Sequence, residues 1–176
     1  MMAISGKVWK FGDHIAGDDG IIDFEIVRNG FGKEMDRAAL RAMCFKRIRP
    51  EFADDVRDGD IVVGGLNFAH HNHVEVSVAL KASGLGAIVA ESCDTGFIRR
   101  ALNVGLPVVS CAGVTAFIED HEVLRVDLAE GVLERRDGRV LRFSPFSGRM
   151  LDIWRAGGIV PFLREELAAE ASHADH

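Results

Sequence analysis

Three histidines stand within four positions of the chain, in the stretch NFAHHNHVE over residues 67–75. His70, His71 and His73 carry the side chain that titrates near neutral pH, binds divalent metals and most often serves as a general acid or base. The stretch therefore predicts proton transfer, a metal site or a solvated loop. A Ser/His/Asp triad is not predicted, because no serine stands in a nucleophile-elbow pattern.

A zinc site is the weaker of these alternatives. His70, His71, His73 and Glu75 are all possible ligands, but their spacing matches neither HExxH nor a structural zinc pattern. Adjacent residues at a turn also rarely converge on one ion. We therefore assign no metal ligand to this chain and keep zinc as a hypothesis for the three histidines.

The composition argues against several classes of function. The chain has 176 residues and a net charge of -6 at pH 7, whereas nucleic-acid binding usually needs clustered Lys and Arg. Its three cysteines, Cys44, Cys93 and Cys111, form no CxxC pair, so we expect no disulfide framework and a reducing compartment, the cytoplasm. No apolar run reaches the roughly 18 residues that span a bilayer. Neither nucleic acid nor a membrane is an expected partner.

The histidine stretch falls between a predicted strand and a predicted helix. GDIVVGGLNF (59–68) is typical of a buried strand, and VEVSVALKASG (74–84) of a helix that Gly84 can close. Ligands bind at the carboxyl ends of strands in open α/β sheets, and a helix N-terminus favours an anion. Asn72 or His73 is expected to cap this helix.

The remaining pattern predicts an α/β fold with a partly parallel sheet, flanking helices and an antiparallel portion near the C-terminus. Strand, helix, strand, helix and strand alternate along residues 59–111, and this order implies parallel pairing through crossovers. Residues 123–146 are typical of a β-meander, with an Asp-Gly turn in RDGR (136–139). The segment 150–168 is predicted to be helical at both ends and broken at its two adjacent glycines.

The domain organisation is predicted to be simple. One domain is expected over residues 1–165, and the polar tail over 166–176 is expected to be disordered. GKVWKF (6–11) is predicted to be the first strand, and GDHIAGDDGII (12–22) is expected to be a loop, because it is rich in glycine and aspartate. A helix is also predicted over DRAALRAMCF (36–45).

Four stretches, in this order, resemble the small subunit of isopropylmalate isomerase, in the aconitase swivelling-domain family. They are KFGDHIAGDDGII, GDIVVGGLNF, ALKASGLGAIVAES and FIRRALNVGLPVV, and AGGIVPFL is similar to the family's closing segment. The likeness covers most of residues 6–163. It implies a swivelling domain that is inactive alone and serves a hydro-lyase, a dehydratase of small hydroxy di- or tricarboxylates such as 3-isopropylmalate or a 2-alkylmalate, in leucine biosynthesis. It also implies a large-subunit partner, in a heterodimer or heterotetramer. That partner would carry a [4Fe-4S] cluster, and this chain would bind no cofactor.

The sequence departs from the family at the histidine stretch. After NFG the family reads xGSSRE, in which the first Ser is a general base and the Arg binds a substrate carboxylate. Here Asn72 and His73 stand at the two Ser positions, Val74 at the Arg and Glu75 at the Glu. Val cannot supply a bidentate contact to a carboxylate, and Thr95 stands where the family has a further Arg. The alignment makes Asn72 and His73 catalytic candidates and Glu75 a substrate-binding candidate.

The resemblance implies further site residues. Either Asp18 or Asp19 matches the family's active-site Asp, and Asp18 does so without a gap. The loop RNGFGKEMDR (28–37) corresponds to the family's substrate-recognition loop, and its two glycines suggest a mobile lid. Arg28 and Arg37 in that loop, together with His71, are candidate substrate-binding residues.

The departure leaves two interpretations open. The family's two glycines in this stretch are also replaced, by Ala69 and His71. One interpretation is an active subunit with a different substrate, in which His73 has taken over proton transfer. The other is a diverged module of the same fold, which binds a carboxylate or a protein and catalyses nothing.

Overall fold

The structure, a computed structural model, describes residues 3–29 and 36–174, with side chains to residue 171. Within these residues, seven strands form one sheet in the order β4-β3-β2-β1-β5-β6-β7. The strands are β1 (Ala3–Lys10), β2 (Ile61–Gly64), β3 (Ala87–Ala90), β4 (Val108–Ser110), β5 (Val123–Asp127), β6 (Val132–Arg135) and β7 (Val140–Arg142). The helices are α1 (Phe24–Asn29), α2 (Arg37–Met43), α3 (Phe52–Asp55), α4 (Val74–Ala82), α5 (Thr95–Asn103), α6 (Val114–Phe117), α7 (Gly148–Arg155) and α8 (Ile159–Ala174).

The sheet has a parallel half and an antiparallel half. Strands β1 to β4 pair in parallel, whereas β5, β6 and β7 extend the other side of β1 in antiparallel pairs. The predicted Asp-Gly turn joins β6 to β7, where Gly138 has φ 81° and donates its N–H to the carbonyl of Arg135. The predicted partly parallel sheet with an antiparallel C-terminal portion is confirmed.

Two apolar cores lie on opposite faces of this sheet, because consecutive strand residues point to opposite sides. The face covered by α2, α4 and α5 carries Trp9, Val62, Ile88 and Phe97, all buried. The other face carries Val8, Val63, Val89 and Trp154, the last from α7. Burial of both faces fixes the strand register. Because β1 to β4 run parallel, their carboxyl ends meet at one edge of the sheet.

The segment predicted as a loop after β1 contains a helical turn instead. Residues Gly17–Ile21 form a π-helical turn, in which the Ile22 N–H reaches the Gly17 carbonyl at 3.0 Å. Ile21 and Ile22 are buried in the core, so their burial holds a turn that the Gly and Asp content alone does not predict. The short helices α1, α3 and α6 were likewise not predicted.

The C-terminal segment also differs from expectation. Helix α7 ends at Arg155 and α8 begins at Ile159, as the two glycines between them predict. Helix α8 then continues to Ala174, so residues 166–174 are helical rather than disordered. The run of Glu, Leu and Ala there favours a helix. Over the described ranges, no helix is both long and apolar enough to cross a membrane.

Candidate active site

The histidine stretch lies at the carboxyl edge of the parallel strands, held from both sides by neighbouring loops. On one side the Gly17 N–H donates to the His70 carbonyl at 2.7 Å, from the loop after β1. On the other, the Phe68 N–H donates to the Ser92 carbonyl at 2.9 Å, at the end of β3. The stretch is therefore fixed where α/β sheets bind their ligands.

The backbone of this stretch takes an unusual path. Asn67, Ala69 and His71 have positive φ angles of 53°, 60° and 49°, at alternate positions. Such angles are uncommon for residues other than glycine. The Ala69 N–H is held by the carbonyl of Ile15 at 2.8 Å, so pairing with the loop after β1 maintains this conformation.

His73 occupies the N-cap position of α4, but its side chain makes no capping hydrogen bond. Its ring instead stacks on Phe24, with centroids 3.8 Å apart and an angle of 8° between the planes. Its Nε2 lies 3.6 Å from Asp18 Oδ2, and the two side chains are 38% and 31% exposed. His73 is thus one of the two predicted N-cap residues, although its side chain does not bond to the helix. The ring is held by an aromatic face and a carboxylate, while part of it stays open to a ligand.

The two aspartates of the π-helical turn face different partners. Asp18 lies beside His73, whereas Asp19 forms an ion pair with Arg47, which also binds Asp23 at 2.8 Å. The alignment left open whether Asp18 or Asp19 matches the family's active-site Asp, and Asp18 is the one that lies at the start of α4.

Asn72 turns to the other side, toward α5. Its Nδ2 donates to Asp94 Oδ1 at 2.5 Å, and its Oδ1 accepts a hydrogen bond from Arg100 Nη1. Asp94 is also the N-cap of α5 and accepts the Phe97 N–H at 2.9 Å. Asn72 therefore neither caps α4 nor has a free amide group.

Asp94 and Arg100 are site residues that the sequence did not reveal. An Asp directly before a helical pattern is a capping signal, and Asp94 could have been recognised in that role. Nothing in the pattern distinguishes Arg100 from the adjacent Arg99. The contact of Arg100 with Asn72 depends on how α5 packs beside α4.

The other two histidines of the stretch have separate surroundings. His70 Nε2 lies 3.0 Å from the carbonyl oxygen of His14. His71 is exposed, and its ring packs edge-on to that of His70, with centroids 4.7 Å apart. Among the residues that the structure describes, no group of three His, Cys, Asp or Glu side chains could hold a metal ion. The zinc hypothesis thus gains no ligand set from this arrangement.

The remaining predicted residues lie apart from His73 in different ways. Glu75 is half-buried in the first turn of α4, two residues after His73. Arg28 pairs with Glu25 on α1 at 2.7 Å, and both are exposed. Most of the loop predicted as a lid, residues 30–35, lies outside the described residues.

Arg37 lies toward the opposite end of α4. It lines a cleft of about 270 Å³ together with Lys81, in the last turn of α4, and Asn103, at the end of α5. The structure therefore brings together His73, Asn72 and Asp18, with Glu75 close by in the chain, and does not bring Arg37 to them.

The three cysteines lie apart and are free of disulfides. Burial raises the pKa of the Cys44 and Cys93 thiols to about 12, and that of the Cys111 thiol to about 11. A thiolate is the form that binds a metal or reacts. In the metal-free chain these thiols therefore behave as small apolar side chains.

We expect all three thiols to react slowly with a disulfide reagent at pH 8 in the folded chain. A pKa of about 12 leaves roughly one thiol in ten thousand ionised at that pH. Labelling by Ellman's reagent should be at least 100-fold slower than in chain unfolded by guanidinium chloride. The matched control is Ser144→Cys, at an exposed loop position, which should label at once. Rapid labelling of the native chain would contradict the burial described here.

The sequence is similar to those of known proteins over nearly its whole length. No protein-family model matches it. The 3-isopropylmalate dehydratase small subunit of Halothermothrix orenii is 34% identical over 175 residues, 98% of this chain and all of that protein. The chain belongs to the family of 3-isopropylmalate dehydratase small subunits. A second family member, small subunit 1 of Methanopyrus kandleri, is 35% identical over 93% of this chain and 94% of its own length.

A solved structure shows the same fold. The crystal structure of 3-isopropylmalate dehydratase from Methanocaldococcus jannaschii matches with a TM-score of 0.86 and 27% identity, over 98% of this chain and 99% of that one. A relative from the same organism, 32% identical over 94% of this chain and 96% of its own length, is named an isopropylmalate/citramalate isomerase small subunit. The predicted family and fold are confirmed, and the chain is a subunit of a dehydratase, a hydro-lyase.

Proposed function

We propose that this chain completes a cytoplasmic hydro-lyase by closing over a large subunit that carries a [4Fe-4S] cluster. The proposed substrate is 3-isopropylmalate or a 2-alkylmalate. The observation that carries the proposal is the imidazole of His73, held at the start of α4 between Phe24 and Asp18. It provides a proton-transfer group at the position where the sequence departs from its family.

His73 is proposed to move the proton. Dehydration of a hydroxy acid breaks a C–H bond and a C–O bond. A base accepts the proton, the C–H electron pair forms the C=C bond, and the hydroxyl leaves as hydroxide, which takes up a proton to become water. Because Nε2 of His73 faces the Asp18 carboxylate, the carboxylate favours a proton on Nε2 and leaves the Nδ1 lone pair for the substrate. Stacking on Phe24 fixes the plane of the ring.

The partner's cluster is part of this proposal. The cluster is assigned to the partner because the three cysteines of this chain lie apart and the described ranges hold no group of three metal ligands. A bound iron centre would supply Lewis-acid activation of the leaving hydroxyl, and this chain would supply His73 as the proton acceptor. Substrate-binding roles for His71, Glu75, Arg28 and Arg37 stay predictions.

A second candidate function is a non-catalytic module that binds a carboxylate or a protein. It is favoured by the state of Asn72, at the position of the family's catalytic Ser, because both ends of its amide are occupied. Val74, at the position of the family's Arg, is 53% exposed and offers no polar group. In this alternative the family's chemistry has been lost with those two residues.

Anaerobic co-expression with the large subunit from the same host distinguishes the two functions. The tagged chain should co-purify with the large subunit, and the complex should hydrate an unsaturated dicarboxylate from a panel of alkylmaleates. The large subunit alone is the control and should be inactive. A complex that forms and holds its cluster but hydrates no member of the panel would favour the non-catalytic module. Failure to form any complex would refute the proposed partnership.

A further inference from the structure

Arg100 is a cation at the candidate site that forms no direct ion pair with a described residue. The Nη1 of its guanidinium donates a hydrogen bond to Asn72 Oδ1. Across the described parts of the chain, no Asp or Glu oxygen lies within 4.0 Å of its nitrogens. A guanidinium has five N–H donors, so most of them remain free to bind a ligand. The residue is half-buried, which strengthens its attraction for an anion relative to a fully solvated arginine.

Neighbouring side chains hold the guanidinium of Arg100 in place. Asp94 accepts the Nδ2 of Asn72 at 2.5 Å, and this turns the amide so that its oxygen faces Arg100. Asp94 is itself held by the Phe97 N–H at 2.9 Å. The chain of contacts from the α5 cap to the guanidinium thus orients a planar group that is suited to a carboxylate.

Gly96 makes room for this arrangement. Arg100 stands four residues after Gly96 on α5, so the two positions lie on the same face of the helix. A Cβ at Gly96 would stand 3.0 Å from Arg100 Nη1 and 3.0 Å from Asp94 Oδ1. Because position 96 has no side chain, Arg100 can fold back toward the start of α5 and reach Asn72.

The two flanks of the site therefore have different chemistry. The ring of His73 faces Asp18 and Phe24 on one side of the start of α4. The amide of Asn72, the preceding residue, leads to Arg100 on the other. A small dicarboxylate placed across the start of α4 would meet a proton-transfer group at one flank and a guanidinium at the other.

We propose that Arg100 binds a carboxylate of the substrate, and that Asn72 and Asp94 are the residues that position it. This inference rests on the proposed function and names the cation that Val74 and Thr95 cannot supply. It also changes the role of Asn72 from a catalytic candidate to a positioning residue. A bidentate contact between the Arg100 guanidinium and the carboxylate makes the site specific for a substrate with a carboxylate at that flank.

The test pairs changes in the protein with changes in the substrate. In the complex with the large subunit, Arg100→Met should raise KM for the dicarboxylate substrate by about 10- to 100-fold, as expected for a lost charge-assisted contact. For the monoamide in which the recognised carboxylate is neutralised, the same variant should change KM less than about threefold. Arg100→Lys should recover part of the loss. Arg99→Met, at the exposed adjacent position, is the matched control and should behave as wild type.

Each outcome decides the inference. Equal losses for the dicarboxylate and for both monoamides would assign Arg100 a structural role and overturn it, as would an Arg100→Met variant that matches Arg99→Met. A thermal melt of each variant identifies loss of folding. If the wild-type complex has no activity, the proposed function fails. Calorimetric binding of the dicarboxylate, lost in Arg100→Met and kept in Arg99→Met, then supports the inference by itself, and equal binding by the two variants overturns it.

Discussion

Replacing His73 with phenylalanine should lower kcat of the reconstituted complex by about 100-fold or more, the range for loss of a general base. Phenylalanine keeps an aromatic ring against Phe24, which His73 contacts at a centroid distance of 3.8 Å. It removes both ring nitrogens, so the loss reports proton transfer rather than packing. The melting temperature should change little, because the side chain is 38% exposed and makes no capping hydrogen bond.

A second histidine–aspartate pair in the chain provides the control for this result. His121 Nε2 lies 3.4 Å from Asp120 Oδ2, in a pairing chemically similar to that of His73 with Asp18. His121 has φ 65°, and His121→Asn suits that backbone because asparagine tolerates the left-handed region. This variant should leave kcat unchanged. A His73→Phe complex with wild-type kcat would make the histidine a bystander and remove the basis of the proposed mechanism.

Replacing Gly105 with alanine should destabilise the chain by about 3 kcal/mol. Gly105 has φ 72°, a conformation that costs an alanine about 1 kcal/mol or more. A Cβ there would also overlap the carbonyl group of Gly157, in the turn between α7 and α8. Relief requires α7 and α8 to move away from the end of α5. Urea unfolding of the whole chain measures the loss.

Gly138→Ala separates the two causes of this loss. Gly138 has φ 81°, close to that of Gly105, but a Cβ there meets nothing within 4 Å. Its substitution should cost only the backbone strain, about 1 kcal/mol. The difference between the two variants then measures the overlap with Gly157. Equal losses would show that the close approach of α5 to the turn between α7 and α8 can relax freely.

Much of the sheet could be predicted because its strands are short apolar runs bounded by turn residues. The Asp-Gly turn of residues 136–139 and the burial of β2 and β3 follow from local pattern alone. The π-helical turn at Gly17–Ile21 could not be predicted, since the burial of Ile21 in the core outweighs a composition typical of loops. Helix α8 was underestimated because a polar segment was equated with a disordered one.

The candidate site could be predicted only where chemistry is local. His73 stands out by residue type, and the resemblance to a family places it at a serine of the active-site motif. The network of Asn72, Asp94 and Arg100 joins residues 22 and 28 positions apart. Such contacts depend on the packing of α4 beside α5, which no periodicity specifies.

The alternate left-handed residues of the histidine stretch place strain in the backbone of this site. Ala69 and His71 stand where the family has glycine, and both adopt left-handed φ angles, of 60° and 49°. Each costs roughly 1 kcal/mol relative to glycine, and the pairing of this stretch with the loop after β1 offsets that strain. The shape of this stretch is therefore set by tertiary contacts rather than by glycine at its turns, and it should be lost whenever the loop after β1 detaches.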